Sequence, residues 1–384
     1  MKRTIAVVTT SRADYSHLYW VLRELRDHND IECRLIVTAA HLADEFGAAV
    51  DEIEADGFVI DERIECLLSS DTDVGMAKTI GMATLGLADA LDRLRPDILL
   101  LIADRYEMLA PASVALALRI PLAHIEGGDV SEGAIDDAVR NALTKMSHLH
   151  FTPTEIARQR VIAMGEEAWR VHRSGAPSLD HLERSELLDR AALEQVLDTT
   201  IDPSSILVAY HPVTVARDSL REAEAMFEGL QMTGRPVVFC FPNADVGSRQ
   251  LARLAEAFCE RNDSAQIFVN LNPTHYWSLL RSVAVMVGNS SSGIMETPSL
   301  QLPCINVGMR QRGRERAANI IDVDADASAI KDAVEHACSQ GFRDSLQGMV
   351  NPYGDGTAAR RIVDVLASCP LGEELRVKLT VDAF

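Results

Sequence analysis

Two acids, an arginine and a histidine stand close together between residues 104 and 126 of this sequence. Asp104 and Arg105 follow one short apolar run, and His124 and Glu126 close the next one. Because side chains alternate along a strand, we expect His124 and Glu126 to share one strand face. If these runs are neighbouring strands, the side chains converge where a carboxylate and an imidazole can exchange protons with a substrate carbon or a leaving oxygen. The alternative is structural, with Asp104 capping the next helix and His124 satisfied in the core.

Other candidates lie on either side of this group. Arg12 stands in the turn between the first strand-like run and a helix, where it either holds a phosphate or forms a surface ion pair. Asp136 precedes a segment of helical character and either caps it or points into a cleft. His148 and His150 share one strand face, as active-site groups or as a hydrogen-bonded structural pair.

The second half of the chain offers groups suited to a nucleotide. His211 follows an apolar run and is either catalytic or a loop cap. Ser290 and Ser291 follow a strand-like run, and a helix starting there can bring backbone N–H groups close to a diphosphate. Glu296, expected in the first helical turn, can accept hydrogen bonds from ribose hydroxyls. Arg310 belongs to a loop with three arginines, which either contacts phosphate or is a solvated basic loop.

Apolar runs alternating with amphipathic helices supply the framework for these residues. Near-continuous apolar runs of this length predict buried strands of a parallel sheet. We expect strands at 4–8, 33–37, 97–102, 121–126, 148–152, 170–174, 206–210, 237–241, 266–270, 283–287, 304–307 and 320–323. We expect helices at 15–26, from Phe46 to before Gly57, and at 77–94, 182–197, 217–230, 248–261, 329–339 and 357–367.

This alternation predicts an α/β protein with two doubly wound domains and a cleft between them. We expect the domains at 1–175 and 176–365, with 366–384 packing back on the first. Ligands of such sheets bind beyond the carboxyl ends of the strands, where the acids of the first group fall. A glycine-rich Gly-x-Gly-x-x-Gly loop does not follow the first strand, so a nicotinamide or flavin cofactor has no visible cradle.

Composition and sequence patterns argue against several classes of binding partner and structural site. The net charge of −20 argues against a nucleic-acid or anionic-membrane partner. The seven cysteines include no Cys-x-x-Cys pair, so neither a zinc site nor a disulfide framework is indicated. The sequence contains no signal-peptide pattern and no apolar run near the ~20 residues that span a bilayer, and we expect a cytoplasmic location.

The chain resembles the UDP-N-acetylglucosamine 2-epimerase family, specifically its hydrolysing branch from sialic-acid and legionaminic-acid pathways. The resemblance runs from residue 9 to about 361. It is carried by the motifs SRADY (11–15), DRYE (104–107), HIEGG (124–128), GAIDD (133–137) with Arg140, SHLH (147–150), HPVT (211–214), GNSS (288–291) through Glu296, and NPYGDG (351–356). It implies two Rossmann-like domains facing a central cleft, as in glycosyltransferases of the B type.

The resemblance also implies a reaction without metal or redox cofactor. A base removes the C2 proton while the nucleoside diphosphate leaves from C1, and water then adds to the resulting 2-acetamidoglucal. The matching catalytic residues are Asp104, Arg105, Glu126, Asp136 and His211. The matching substrate and nucleotide contacts are Arg12, His41, His124, Arg140, Ser290, Ser291, Gly293, Glu296 and Arg310.

Several alternatives stay open at this point. The sugar is N-acetylglucosamine or a 2,4-diacetamido-6-deoxy sugar, carried on UDP or GDP, and we expect a homo-oligomer, either a dimer or a tetramer. The hydrolysing branch usually has Arg-His where this chain has Arg140-Asn141. Because of that departure, a catalytically silent nucleotide-sugar binding protein is one alternative function. A glycosyltransferase on the same scaffold is the other alternative.

Overall fold

The computed structural model describes residues 2–43, 49–68, 72–131, 135–211, 219–241, 248–269, 271–379 and 381. Phe46, Gly133 and the residues 212–214 of the predicted motifs lie outside these ranges. The chain divides into two compact units. The first comprises Met1–Asp129, Ile135–Asp180 and Gly356–Phe384, and the second comprises Val130–Ala134 and His181–Asp355. Within the described ranges, no helix is long and apolar enough to cross a membrane.

Among the described residues of the first unit, seven strands form one sheet. They are β1 (Arg3–Thr9), β2 (Ile31–Thr38), β3 (Ile60–Ile64), β4 (Ile98–Ile102), β5 (Leu122–Ile125), β6 (Leu149–Thr152) and β7 (Val171–Arg173). Their order is β3-β2-β1-β4-β5-β6-β7, and every neighbouring pair is parallel. Strands β4 and β5 are buried along their whole length, as their unbroken apolar sequence predicts.

The described part of the second unit has a six-stranded parallel sheet. Its strands are β8 (Ile206–Ala209), β9 (Val237–Phe241), β10 (Ala265–Val269), β11 (Val285–Gly288), β12 (Cys304–Val307) and β13 (Ile320–Val323), in the order β10-β9-β8-β11-β12-β13. The end of β11 requires glycine, because Gly288 has φ +149° and an added Cβ would lie 2.0 Å from the Ala209 carbonyl oxygen.

Helices connect and cover these strands. They are α1 (Arg12–Asp27), α2 (Ala49–Ala55), α3 (Asp73–Leu94), α4 (Leu109–Leu118), α5 (Ile135–Met146), α6 (Glu155–Ala163), α7 (Asp180–Arg184), α8 (Arg190–Leu197), α9 (Ser219–Thr233), α10 (Ser248–Cys259), α11 (Pro273–Ser282), α12 (Ser291–Met295), α13 (Ala327–Ala337), α14 (Gln340–Ser345), α15 (Ala358–Ser368) and α16 (Glu373–Arg376). Although α15 comes late in the chain, Ile362, Val363 and Leu366 are buried in the core of the first unit.

The prediction of an α/β protein built on two parallel sheets is confirmed. The single helix expected at 182–197 is wrong. The structure has α7 and α8 there, because the Asp189 side chain accepts a hydrogen bond from the Ala192 N–H and starts a new helix. Strand β3 was missed because its sequence Ile-Asp-Glu-Arg-Ile contains no apolar run.

Candidate functional site

Four neighbouring strands of the first sheet carry candidate residues at their carboxyl ends. His41 follows β2, Arg12 follows β1, Asp104 and Arg105 follow β4, and Glu126 follows β5. The strand order places β2, β1, β4 and β5 side by side, so these residues line one edge of the sheet. This is the edge at which open parallel sheets bind ligands.

Three of these strands end in a residue with left-handed backbone geometry. Ala39 after β2, Ala103 after β4 and Glu126 after β5 have φ values of +53°, +58° and +67°. Non-glycine residues rarely adopt this conformation, and strain of this kind concentrates at functional sites. The positive φ of Glu126 also corrects the expectation that His124 and Glu126 share a strand face. Strand β5 ends at Ile125, and the chain turns at Glu126.

Glu126 is held against a histidine that sequence analysis missed. The Glu126 Oε1 atom lies 3.2 Å from Nδ1 of His17 on α1. Glu126 is 8% exposed, so its carboxylate is largely removed from water. The sequence indicates a functional role for His17 only through its position three residues after Asp14, on the helix that follows β1.

Asp104 is held by a buried arginine. Arg140 on α5 donates through Nη2 to Asp104 Oδ2, and its side chain is only 2% exposed. Its Nη1 atom lies 3.4 Å from Asp137 Oδ1, and Asn141 Nδ2 lies 3.3 Å from the other Asp137 oxygen. Asn141, the departure from the resembled motif, therefore belongs to the same group of contacts. Asp136 is half-buried in the first turn of α5.

A buried polar network lies beside these carboxylates. Arg105 Nη2 donates to Oε1 of the buried Glu107 at 2.8 Å. Asp14 is also buried, and loss of hydration raises its carboxyl pKa against the opposing effect of Arg105. His41 lies 2.9 Å from the Thr9 hydroxyl, and burial, helped by the arginine charge, lowers its pKa to about 3. The His41 imidazole is therefore neutral near pH 7.

Arg12 and His124 have the contacts of the structural alternatives. Arg12 Nε donates to Glu52 Oε2 at 3.1 Å, which is an ion pair with a neighbouring acid. His124 is fully buried, with Nε2 2.7 Å from the Ala103 carbonyl oxygen and Nδ1 3.3 Å from the Thr144 hydroxyl. Burial lowers its pKa to about 4. The His124 ring thus supports the strained turn that leads to Asp104.

His148 and His150 bind different partners rather than each other. His148 precedes β6, and its Nδ1 accepts a hydrogen bond from the Leu122 N–H at 3.1 Å. His150 Nε2 lies 3.2 Å from the buried carboxylate of Glu166, which also contacts Lys378 at 2.7 Å. These contacts support the strands from within the first unit.

In the second unit, His211 and Asn289 form a reciprocal pair after β8 and β11. The His211 N–H donates to Asn289 Oδ1 at 2.7 Å, and Asn289 Nδ2 donates to the His211 carbonyl oxygen at 2.8 Å. Arg310 Nη1 and Gln311 Nε2 both donate to the Asn289 carbonyl oxygen. Burial and the Arg310 charge lower the His211 pKa to about 3, so its ring is neutral near pH 7. The sequence analysis did not identify the role of Asn289 in this pair.

The serine-rich turn after β11 starts the short helix α12. Ser290 caps it, with its hydroxyl accepting from the Ser292 N–H at 3.3 Å, and Ser291 is its first residue. Gly293 packs against β12, because an added Cβ would lie 2.6 Å from the Cys304 sulfur. This close approach accounts for glycine at position 293 without any ligand.

The expectation that Glu296 lies in a first helical turn was wrong. Helix α12 ends at Met295, and Glu296 is its C-cap, since Pro298 prevents the helix from continuing through Thr297. The Glu296 carboxylate accepts from the Ser292 hydroxyl at 2.7 Å, and that hydroxyl lies 2.9 Å from the Tyr276 hydroxyl.

The chemistry of the two units differs. The first unit places carboxylates with basic partners along one sheet edge, an arrangement that suits proton transfer. The second offers a neutral imidazole, an arginine and a serine turn, groups that suit a phosphate ester. Across the ranges that the structure describes, no group of three His, Cys, Asp or Glu side chains is arranged to hold a metal ion.

Comparison with known proteins finds relatives that are named as sugar-nucleotide 2-epimerases. The sequence matches the family described as UDP-N-acetylglucosamine 2-epimerase over residues 23–367. It is 37% identical, over 84% of both chains, to a GDP/UDP-N,N'-diacetylbacillosamine 2-epimerase (hydrolyzing) of Campylobacter jejuni. It is 35% identical, over 98% of both chains, to a UDP-N,N'-diacetylbacillosamine 2-epimerase (hydrolyzing) of Legionella pneumophila. The fold matches the crystal structure of a UDP-GlcNAc 2-epimerase from Neisseria meningitidis bound to UDP-GlcNAc, with a TM-score of 0.81, 19% identity and coverage of 94% of this chain and 99% of the other.

Proposed function

Because the chain belongs to the UDP-N-acetylglucosamine 2-epimerase family, we propose that it is a hydrolysing sugar-nucleotide 2-epimerase whose substrate is UDP-N,N'-diacetylbacillosamine. The products are the free sugar with inverted C2 and UDP. The choice of sugar is supported by the activities for which the two relatives at 37% and 35% identity are named. A GDP carrier is the variant suggested by the name of the Campylobacter relative.

In the proposed first step, a base takes the C2 proton, the C1–oxygen bond breaks and the nucleoside diphosphate leaves with the bonding electrons. In the second step, water adds its oxygen to C1 of the 2-acetamido glycal, and C2 receives a proton on the opposite face. The C2–H bond is adjacent to no carbonyl and is weakly acidic. Several preorganised charged groups must therefore act together on it.

The observation that supports this chemistry best is the pair of carboxylates at adjacent strand ends. Glu126 follows β5 and contacts His17, while Asp104 follows β4 and is held by Arg140. We assign the C2 proton and the water to Asp104, Glu126 and Asp136. Asp104 and Glu126 are each positioned by a basic partner, which fixes the carboxylate in one orientation before substrate binds.

We assign the departing diphosphate to Arg105 and His211, with Arg12, Arg310, Ser290, Ser291 and Glu296 as further nucleotide contacts. The low pKa of His211 means that it acts as a neutral imidazole near pH 7. The positive charge that stabilises the leaving group must then come from the arginines.

UDP-N-acetylglucosamine is the second candidate substrate, because it appears in the family description and in the structural relative. The two sugars differ at C4 and C6, so the residues that act at C1 and C2 serve either. Assembly as a dimer or tetramer and a cytoplasmic location stay predictions from the sequence.

The test is turnover of each UDP-sugar in deuterated water, followed by NMR. We expect UDP release together with a free sugar that carries deuterium at C2, and faster turnover of the diacetylated sugar. A product that retains hydrogen at C2 would contradict proton removal at that carbon. Absence of turnover with tight UDP-sugar binding would instead support a silent binding protein.

A matched pair of variants tests the carboxylate assignment. Glu126→Gln keeps the shape and removes the charge, so we expect turnover to fall by about 10²–10⁴-fold while UDP binding stays within about twofold of the wild type. Glu224→Gln makes the same change at an exposed position on α9 and is expected to leave both unchanged. Equal loss of turnover and UDP binding in Glu126→Gln would indicate a structural role.

A further inference from the structure

An open groove of about 420 Å³ lies beside β7, the strand at one edge of the first sheet. Strand β7 lines it together with residues of α6 and α15, so all its lining belongs to the first unit. It shares no residue with the candidate site described above. We refer to it as the β7 groove, lined by Arg158, His172, Arg173, Ser174, Arg361 and Asp364 among others.

The charge of the β7 groove is opposite to that of the chain. Three arginines and one acid, Asp364, line it, and Glu155 forms an ion pair with Arg158 from outside the lining, whereas the chain has 57 acidic and only 37 basic residues. Burial, followed by the Arg158 charge, lowers the pKa of His172, so its imidazole adds no positive charge to the groove near pH 7. A local positive cluster on an acidic protein attracts small anions without attracting polyanions such as nucleic acid.

Two of these arginines are fixed in place by the edge strand. Arg158 Nε donates to the Val171 carbonyl oxygen at 3.0 Å, and Arg361 Nη1 donates to the Ser174 carbonyl oxygen at 3.2 Å. The Arg158 bond also covers a carbonyl group of β7 that an edge strand would otherwise offer to another chain. Arg158 also donates through Nη1 to Glu155 Oε1 at 3.2 Å, so two partners orient its guanidinium group.

From this arrangement we propose that the β7 groove is a second ligand site, which binds the phosphate or pyrophosphate group of a small molecule. Guanidinium groups match phosphate oxygens in pairs, and such charge-assisted bonds are stronger than neutral ones. The volume falls within the range of small-ligand sites. Because Arg173 and Arg361 are exposed, binding is modest and weakens as salt screens the charges.

The test is calorimetric titration of the full chain with inorganic phosphate and with inorganic pyrophosphate, at low salt and with UDP in excess. The UDP occupies the nucleotide site of the proposed function, and every variant is measured at the same UDP concentration. The comparison between variants therefore remains valid even if that function is wrong. We expect one pyrophosphate per chain, tighter than phosphate, with affinity falling as salt is added.

The variants are Arg158→Gln with Arg173→Gln together, and Arg173→Gln alone in case the double variant does not fold. The matched control is Arg93→Gln, which removes an exposed arginine of α3 paired with Glu62. We expect at least about tenfold weaker pyrophosphate binding in the double variant, about threefold in the single variant and no change in the control. Equal binding by the groove variants and the control, or no binding by the wild type, would overturn the proposal.

Discussion

Arg140→Met tests whether a buried arginine holds Asp104 at the sheet edge. The Arg140 side chain is 2% exposed and donates to Asp104, whose side chain is 21% exposed, and to Asp137. Methionine keeps much of the apolar stem and its packing but removes the charge and the hydrogen bonds. The variant therefore removes the Arg140 cation that contacts the partly buried Asp104 carboxylate.

The structure gives a range for the loss of stability. Removing one partner of a fully buried ion pair costs about 3–5 kcal/mol, because the other charge is left uncompensated. Water reaches about a fifth of the Asp104 side chain, so we expect about 2–4 kcal/mol in the free energy of unfolding. Adding Asp104→Asn to Arg140→Met removes the stranded charge, and the double variant should recover about 1–2 kcal/mol.

Urea denaturation at pH 7.5 measures these differences, and hydrogen exchange of residues 135–146 assigns them to α5 in the first unit. The control, Arg93→Met, breaks an exposed ion pair with Glu62 and should cost less than about 1 kcal/mol. The reasoning is refuted if Arg140→Met is as stable as this control. It is equally refuted if the effects of Asp104→Asn and Arg140→Met simply add.

Two further predictions concern backbone geometry and pH. Gly288→Ala should cost more than about 3 kcal/mol in urea denaturation, since its Cβ would lie 2.0 Å from the Ala209 oxygen at φ +149°. Gly341→Ala, with nothing within 4 Å, is the control and should stay within about 0.5 kcal/mol. Burial lowers the pKa of His124 and His148 to about 4 from 6.5, so below pH 6.5 the unfolded chain binds protons that the folded chain does not. Stability should therefore fall as pH drops from 6.5 towards 4, and His148→Asn should flatten that loss; an equal slope in the variant would exclude this cause.

The sequence predicted more of the fold than of the site contacts. Apolar runs gave most strands of both sheets, because a strand buried on two faces must be apolar along its length. The acids at 104 and 126 were identified for the same reason, as polar residues directly after such runs. The expected strand face shared by His124 and Glu126 failed because a left-handed residue ends β5, and no apolar pattern encodes a positive φ at a glutamate.

The sequence by itself determined the alternation of strands and helices, the glycine at the end of β11 and the types of residue placed after each strand. Tertiary structure alone decided which strand ends are neighbours, and therefore which charges meet. His17 reaches Glu126, and Arg140 reaches Asp104, only because the sheet order and the packing of α1 and α5 bring distant segments together. Local periodicity sets what a segment forms, whereas long-range pairing depends on the packing of the whole unit.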